Sequence, residues 1–299
     1  GGTFVHAYPA EEKVWVNTLE AINPGEDDYF DILRLQPDGQ TAEANLVLTE
    51  NVFESYQEAI NFFVSNGYTL NKDLYVFPYD WRKDITFTAP LLDQKIESIK
   101  QQTGSAKVDI VAHSMGGLVA RNYIANAERG MKIRKLIIVG APLLGAPKAT
   151  KNLIYGDCLT TLPVLFGFLC MGIANSEVKD VMQNMISVFQ ILPSQKYFDF
   201  YSREDNVHPF PFRDDRDIDN DGVTGPLNYF QIKTLLSNLG QNTNLFGPSE
   251  AFHGLDDSLV NTNGVEVTNI VGSGMPTLGQ IIEKSSIDFL GVKILYRDE

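Results

Sequence analysis

The sequence predicts an α/β fold, a mostly parallel sheet with helices on both faces. Three observations carry that expectation. Short β-rich runs at 108–112 and 135–139 alternate with stretches whose apolar residues recur at helical spacing. A turn of small residues, 112–117, joins the first of those runs directly to one such stretch. The length of 299 residues and the 43% hydrophobic content suit one large domain with a sizeable core.

Taken in order, the runs 14–16 and 46–48 read as edge or accessory strands between polar loops. Phe53, Tyr56, Ile60, Phe63 and Val64 share one helical face, and Asn66-Gly67 stops that helix. Residues 74–77 form a β-like run ending at Pro78. Pro90 is expected to open the next helix, with Leu91, Leu92, Ile96 and Ile99 on its buried face. The strand 108–112 precedes a helix through Leu118, Val119, Tyr123 and Ile124, and 135–139, 265–271 and 292–296 supply further strands. Strands alternating with helices imply a parallel sheet covered on both faces.

Residues 148–260 depart from that alternation. They hold apolar helical stretches, aromatics and prolines up to 212, a charged loop at 213–222, and helix-like segments at 228–240 and 248–258. An insertion of this size between sheet strands reads as a cap or lid inside a single domain spanning 1–299. The apolar stretch 159–171 reads as an exposed lid at an apolar entrance or equally as a buried helix. The chain lacks an initiator Met, and both ends look cut from a longer protein.

A net charge of −14 argues against a nucleic-acid partner, because phosphate contacts need clustered Lys and Arg. It also disfavours adsorption to anionic membranes by charge alone. No apolar run reaches the ~18 residues of a spanning helix. Cys158 and Cys170 lie in one apolar segment, and their spacing suits a disulfide or two buried thiols equally. The compartment stays open, with export slightly favoured.

The chemistry points to Ala112-His113-Ser114-Met115-Gly116, a G-x-S-x-G turn with Ala in the first small position. A strand that turns into a helix within a few residues holds the Ser in a strained conformation and exposes its hydroxyl. The small neighbours Ala112 and Gly116 are expected to avoid clashes there. The N–H of Met115, at the helix start, can donate to an oxyanion. In this context the turn predicts an α/β-hydrolase fold with Ser114 as nucleophile; the bland alternative is a structural Ser at a tight turn. The base and its orienting acid should follow the Ser. His6 precedes it, His113 is its neighbour, and His208 and His253 lie in the cap. None is expected within hydrogen-bond reach of Ser114, which puts the acid and base beyond Glu299.

These residues resemble the lecithin:cholesterol acyltransferase family, which includes phospholipase A relatives. Asn66-Gly67-Tyr68 with Phe77-Pro78-Tyr79-Asp80-Trp81-Arg82 is similar to the family's N-G-Y and P-Y-D-W-R segment. Gly140-Ala141-Pro142 with Gly145, Leu192-Pro193-Ser194, and Gly264-Val265-Glu266-Val267 followed by Val271-Gly272-Ser273-Gly274-Met275-Pro276-Thr277 continue the likeness in order. The resemblance implies that Trp81, with Tyr79 and Asp80, lines the acyl pocket. Structural packing of Trp81 and an Asp80–Arg82 pair are the equal alternative. It also implies that Gly1 and Gly2 end the loop giving the second oxyanion donor. The family's acid-bearing segment would follow Glu299 directly. Its N-terminal lid disulfide has no counterpart, since no Cys precedes Cys158.

Asp217, Asp219 and Asp221 alternate before Gly222 as D-x-D-x-D-G, the first half of a calcium loop, with Asn228 instead of Glu at the twelfth position. A solvated acidic turn is the alternative. The expected activity is acyl hydrolysis or O-acyl transfer on lipid-type esters through an acyl-enzyme on Ser114. No cofactor is required for that chemistry, and a structural calcium ion is the one cofactor the sequence suggests. The expected partner is a lipid or other acyl ester, with transient membrane-surface contact through the cap. The rival class is a non-catalytic surface or binding module that kept the fold and lost the triad.

Overall fold

Two β-strands and the turn between sheet and helix decide where the site lies. A computed structural model describes residues 2–6, 13–15, 30–52, 54–156, 161–164, 167–170, 175–201, 210–256, 262–274 and 277–283. In chain order the elements are β1 (Gly2–His6), β2 (Lys13–Trp15), β3 (Leu46–Val52), α1 (Glu54–Ser65), α2 (Ile85–Thr103), β4 (Val108–His113), α3 (Met115–Ala125), α4 (Ala127–Gly130) and β5 (Ile133–Val139). There follow α5 (Pro147–Tyr155), β6 (Thr161–Val164), β7 (Gly167–Cys170), α6 (Asn175–Met182), α7 (Ile186–Phe189) and α8 (Gln195–Tyr201). The last are β8 (Phe212–Asp214), β9 (Gly225–Pro226), α9 (Tyr229–Asn238), α10 (Phe246–Asp256), β10 (Glu266–Ile270) and β11 (Ile281–Glu283).

The architecture is α/β. Strands β10, β5 and β4 form a parallel sheet in that order, with Ala112 opposite Ile138 and Ile138 opposite Asn269. Ile85, Ala89, Leu92 and Ile96 of α2 join Leu118, Val119, Tyr123 and Ile124 of α3 over Leu136 and Ile138 of β5 to make the main core. The expected cover on both faces is one-sided among the described residues. Asp109 and Val111 are exposed on the opposite face, and α1 meets it at His113. Other strands make an antiparallel sheet β2-β1-β3, a mixed sheet β11-β8-β9 and the hairpin β6-β7. No helix among the described residues is long and apolar enough to cross a membrane.

Several expectations need correction. Helix α2 starts at Ile85 and holds Pro90 inside it. The start is set by Asp84, whose carboxylate accepts from the Thr86 N–H and hydroxyl, both at 2.7 Å. Gln190 Oε1 takes the otherwise orphaned N–H of Ile85 at 2.9 Å. With the start moved, Leu91 falls on the exposed face and Ile85, Ala89, Leu92 and Ile96 are buried. The run 74–77 carries an isolated bridge, Leu70 to Leu74, and no ladder among the described residues. Pro78 ends it, having no N–H to donate. The apolar stretch read as an exposed lid or a buried helix contains the β6-β7 hairpin, not a helix, with Val164 opposite Gly167. Pro163 and Gly167 both disfavour a helix interior, and a short apolar run is ambiguous in period. The expected strand 292–296 and Cys158 lie outside the described residues.

The 148–260 region has a core of its own. Leu153, Phe189, Phe212, Leu235, Leu236 and Ile281 belong to one buried cluster drawn from α5, α7, β8, α9 and β11. A smaller cluster sets Phe30, Leu33 and Leu35 against Val178, Val181 and Met185. The charged loop at 213–222 begins as β8 and is pinned by buried acids. Asp214 accepts from the N–H groups of Arg216 and Ile218, each at 2.9 Å. The buried Glu283 carboxylate accepts from Arg216 at 2.5 Å and from the Tyr155 hydroxyl at 2.9 Å.

The two larger cores meet along a narrow seam. The Ala146 N–H donates to Ile191 O at 2.8 Å, and Ser194 N–H to Leu144 O at 2.9 Å. Gly145, at φ +96°, lies where a β-carbon would stand 2.1 Å from Leu192 O. This close approach sets Gly145 directly against Leu192-Pro193, far from it in sequence.

Candidate active site

Ser114 sits between β4 and α3 with φ 53° and ψ −128°, a conformation L-residues rarely adopt. The sheet fixes it from behind: Ser114 N–H donates to Val139 O at 3.0 Å, and Gly117 N–H donates to Ser114 O at 2.9 Å. The steric demand for a glycine falls one residue later than expected. A β-carbon on Gly116 would meet only ordinary contacts, the nearest at 3.9 Å. On Gly117 it would stand 2.5 Å from Ala141 Cβ and 3.0 Å from Ile138 Cγ2. At position 117 the first turn of α3 lies too close to Ile138 and Ala141 to admit a β-carbon without a shift.

Met115 is the first residue of α3, so its N–H lacks an intrahelical acceptor and points from a helix N-terminus. Gly2 opens β1 opposite Val52, in a sheet separate from that of β4. Gly1 lies outside the described residues. Among the described residues, no side chain is hydrogen-bonded to the Ser114 hydroxyl. His253 is buried on α10 against Phe252, with ring centroids 5.3 Å apart. The side chains of His6 and His208 are outside the description.

Tyr79, Asp80 and Trp81 take distinct places. Asp80 forks Arg82, with Oδ1 accepting from Nε at 2.9 Å and Oδ2 from an Nη at 2.8 Å. Arg82 is buried and also donates to Leu33 O at 3.1 Å, while Ser187 donates to Arg82 O at 3.1 Å. The pair thus ties the segment before α2 to the 30–35 turn and to α7. Trp81 packs on both the main core and the 30–35 cluster. Tyr79 is buried, stacks on Phe77 at 6.0 Å, and turns its hydroxyl toward Gly116. Burial, and then the neighbouring Tyr56 phenol, push the Tyr79 hydroxyl up from its ordinary pKa.

The sequence sets Tyr56 on an apolar helical face and His113 beside Ser114, with nothing to link them. The structure joins the two: the Tyr56 hydroxyl lies 3.0 Å from His113 Nδ1, and the rings meet edge-on at 5.7 Å. Burial raises the Tyr56 pKa. No periodicity signals such a pairing, since it joins a helix to a strand 57 residues away.

The carboxylates of Asp217, Asp219 and Asp221 lie within 4.8 Å of one another. The loop turns left-handed at Asp217, Asn220 and Gly222. Asp217 accepts from the Asp221 and Gly222 N–H groups, and Asp219 from Asn238 at 2.8 Å. Asn228, the twelfth position of the calcium pattern, instead caps α9 in a reciprocal box with Gln231.

The sequence profile described as "Lecithin:cholesterol acyltransferase" matches residues 34–199, more than half of the chain. The bovine protein named lysosomal phospholipase A and acyltransferase is 30% identical over 140 residues, which is 45% of this chain and 32% of that protein. The human protein of that name is 28% identical over 144 residues, 46% of this chain and 32% of that one. An Arabidopsis thaliana protein named phospholipase A(1) LCAT3 is 30% identical over 96 residues, 31% of this chain and 22% of its own length. The matched part of the chain thus spans about a third of the lysosomal relatives.

Proposed function

The chain belongs to the lecithin:cholesterol acyltransferase family, and on that premise we propose that it hydrolyses or transfers acyl groups of lipid-type esters through an acyl-enzyme on Ser114. The observation that carries this reading is the backbone of Ser114. A serine held at φ 53° between a parallel strand and a helix costs on the order of 1–3 kcal/mol, strain that concentrates at functional sites.

The Ser114 hydroxyl attacks the ester carbonyl as a general base takes its proton, and the leaving alcohol departs from the tetrahedral intermediate. The Met115 N–H faces the developing oxyanion, and one such donor is worth about 3–4 kcal/mol. Water or a lipid hydroxyl then resolves the acyl-enzyme. The names of the lysosomal relatives carry both phospholipase and acyltransferase, which supports either acceptor here. Trp81, with Tyr79 and Asp80 beside it, is read as bordering the acyl pocket; its indole spans the seam between two apolar clusters. The 148–260 region is read as a cap that meets the lipid surface, a reading supported by Phe200 and Phe230, exposed at 65% and 67%.

The test is turnover of a phospholipid by the full-length protein and by Ser114→Ala, with and without a long-chain alcohol. The reading expects free fatty acid from the wild type, a shift to ester product with alcohol present, and neither product from Ser114→Ala. Undiminished turnover in Ser114→Ala would overturn it.

A further inference from the structure

Resting on the reading of Ser114 as nucleophile, we infer that Tyr56 is a positioning residue, which clamps the nucleophile turn through His113.

The strained Ser114 has to be held on every side to persist, since it would otherwise relax. Three restraints come from the sheet and helix behind it: Ser114 N–H to Val139 O, Gly117 N–H to Ser114 O, and the contact of Gly117 with Ala141 and Ile138. All of them act on the backbone from the covered side. On the open face, His113 is the last residue of the β4 ladder, opposite Val139, and its ring projects into an exposed surface. An unrestrained ring there would leave the last peptide before Ser114 free to rock. The bond from Tyr56 at 3.0 Å, with the edge-on ring contact, fastens that ring to α1.

Tyr79 completes the arrangement. It lies close enough to Tyr56 for the two phenols to influence each other, and its hydroxyl faces Gly116. Two tyrosines thus flank the turn, one holding the residue before Ser114 and the other abutting the second residue after it. Either partner can donate in the Tyr56–His113 bond, according to the tautomer of the ring. Because the bond sits at an exposed position, it contributes little to global stability. Its consequence is geometric, and small displacements of a nucleophile cost rate more than binding.

The experiment compares wild type, Tyr56→Phe, His113→Phe and the double variant in the full-length protein. It measures the rate of Ser114 modification by a fluorophosphonate, kcat and KM on a soluble ester, and Tm. Each single variant should lower both the modification rate and kcat by roughly threefold to tenfold, the worth of one ordinary hydrogen bond. KM and Tm should hold, and the double variant should be no slower than either single. Multiplicative losses in the double variant, unchanged kcat in Tyr56→Phe, or a loss explained by a lowered Tm would overturn the clamp. A wild type that never reacts at Ser114 sinks the nucleophile reading and the clamp together. A reactive wild type with indifferent variants sinks only the clamp.

Discussion

The nucleophile turn and the 148–260 region are built on different principles. Around Ser114 the backbone is set by contacts that reach no more than 25 residues along the chain: a bond to Val139, a return bond to Gly117, and a helix start that crowds any side chain at position 117. The 148–260 region instead gathers α5, α7, β8 and α9, with β11 from beyond it, around a core whose members are up to 132 residues apart, from Ala149 to Ile281. The first kind of structure follows from rules that any sequence must obey. The second follows from packing that many sequences could satisfy in different ways. On the proposed function the chemistry belongs to the turn, and the region beside it is where substrate choice would be set.

The seam between them is where the comparison breaks most easily. Gly145→Ala would force a β-carbon against Leu192 O in a left-handed backbone. Its cost should exceed about 3 kcal/mol, beyond ordinary overpacking, and it should loosen the two cores from each other. Gly117→Ala meets the Ala141 methyl instead and should cost about 1–3 kcal/mol. Urea titrations of both variants check this order. Equal, small losses would mean that the seam is pliable.

Trp81 tests whether the division of labour is real, because it touches both the main core and the 30–35 cluster. Trp81→Ala should reduce kcat/KM on long acyl esters at least tenfold more than on acetate esters, the scale set by about 1–3 kcal/mol per methylene-sized contact. Equal losses on both esters, with a lowered Tm, would make it a packing residue alone.

The acidic loop offers a smaller perturbation confined to the second region. We propose that calcium binds Asp217, Asp219 and Asp221. At tenfold above a dissociation constant of ~0.1 mM it would add about 1.4 kcal/mol, by mass action. Asp219→Ala should remove the calcium-dependent rise in Tm. It should also cost a little without calcium, because Asn238 loses its acceptor. A melting curve indifferent to calcium and chelator leaves a solvated turn.

The smallest effect belongs to the sheet side. Burial works against ionising Asp93, but hydrogen bonds from Lys132 and Tyr123 prevail and hold its carboxyl below the ordinary value. A carboxyl lowered on folding stabilises the fold above its unfolded pKa of about 3.9, and that contribution disappears as pH falls through the folded value. Stability should therefore decline below about pH 4 more steeply in wild type than in Asp93→Asn. Parallel declines would show that the network is inconsequential.

How much was legible in the sequence follows the same division. The turn at 112–117 could be read because strain at Ser114 and the strand-to-helix junction are local demands. Even there, the reading put the steric need on Gly116, where the structure puts it on Gly117. That need comes from Ala141 and Ile138, which only the fold brings near. Helices α9 and α10 were found near their expected places because their caps and periods are local too. The hairpin β6-β7 was read as an exposed lid or a buried helix, since a short apolar run has no period of its own. Pro90 was read as a helix start because the true cap, Asp84, is completed by Gln190 from 106 residues away. The Tyr56–His113 pair was invisible for the same reason.

The central claim is that Ser114 is the nucleophile, and active-site trapping tests it most directly. The full-length protein would be treated with a long-chain fluorophosphonate, digested, and mapped by mass spectrometry. The account predicts a single stoichiometric adduct on the peptide containing Ser114, abolished in Ser114→Ala and slowed by competing phospholipid. An adduct on a different serine, Ser194 or Ser249 for example, or no adduct under conditions that label a control serine hydrolase fully, would contradict it.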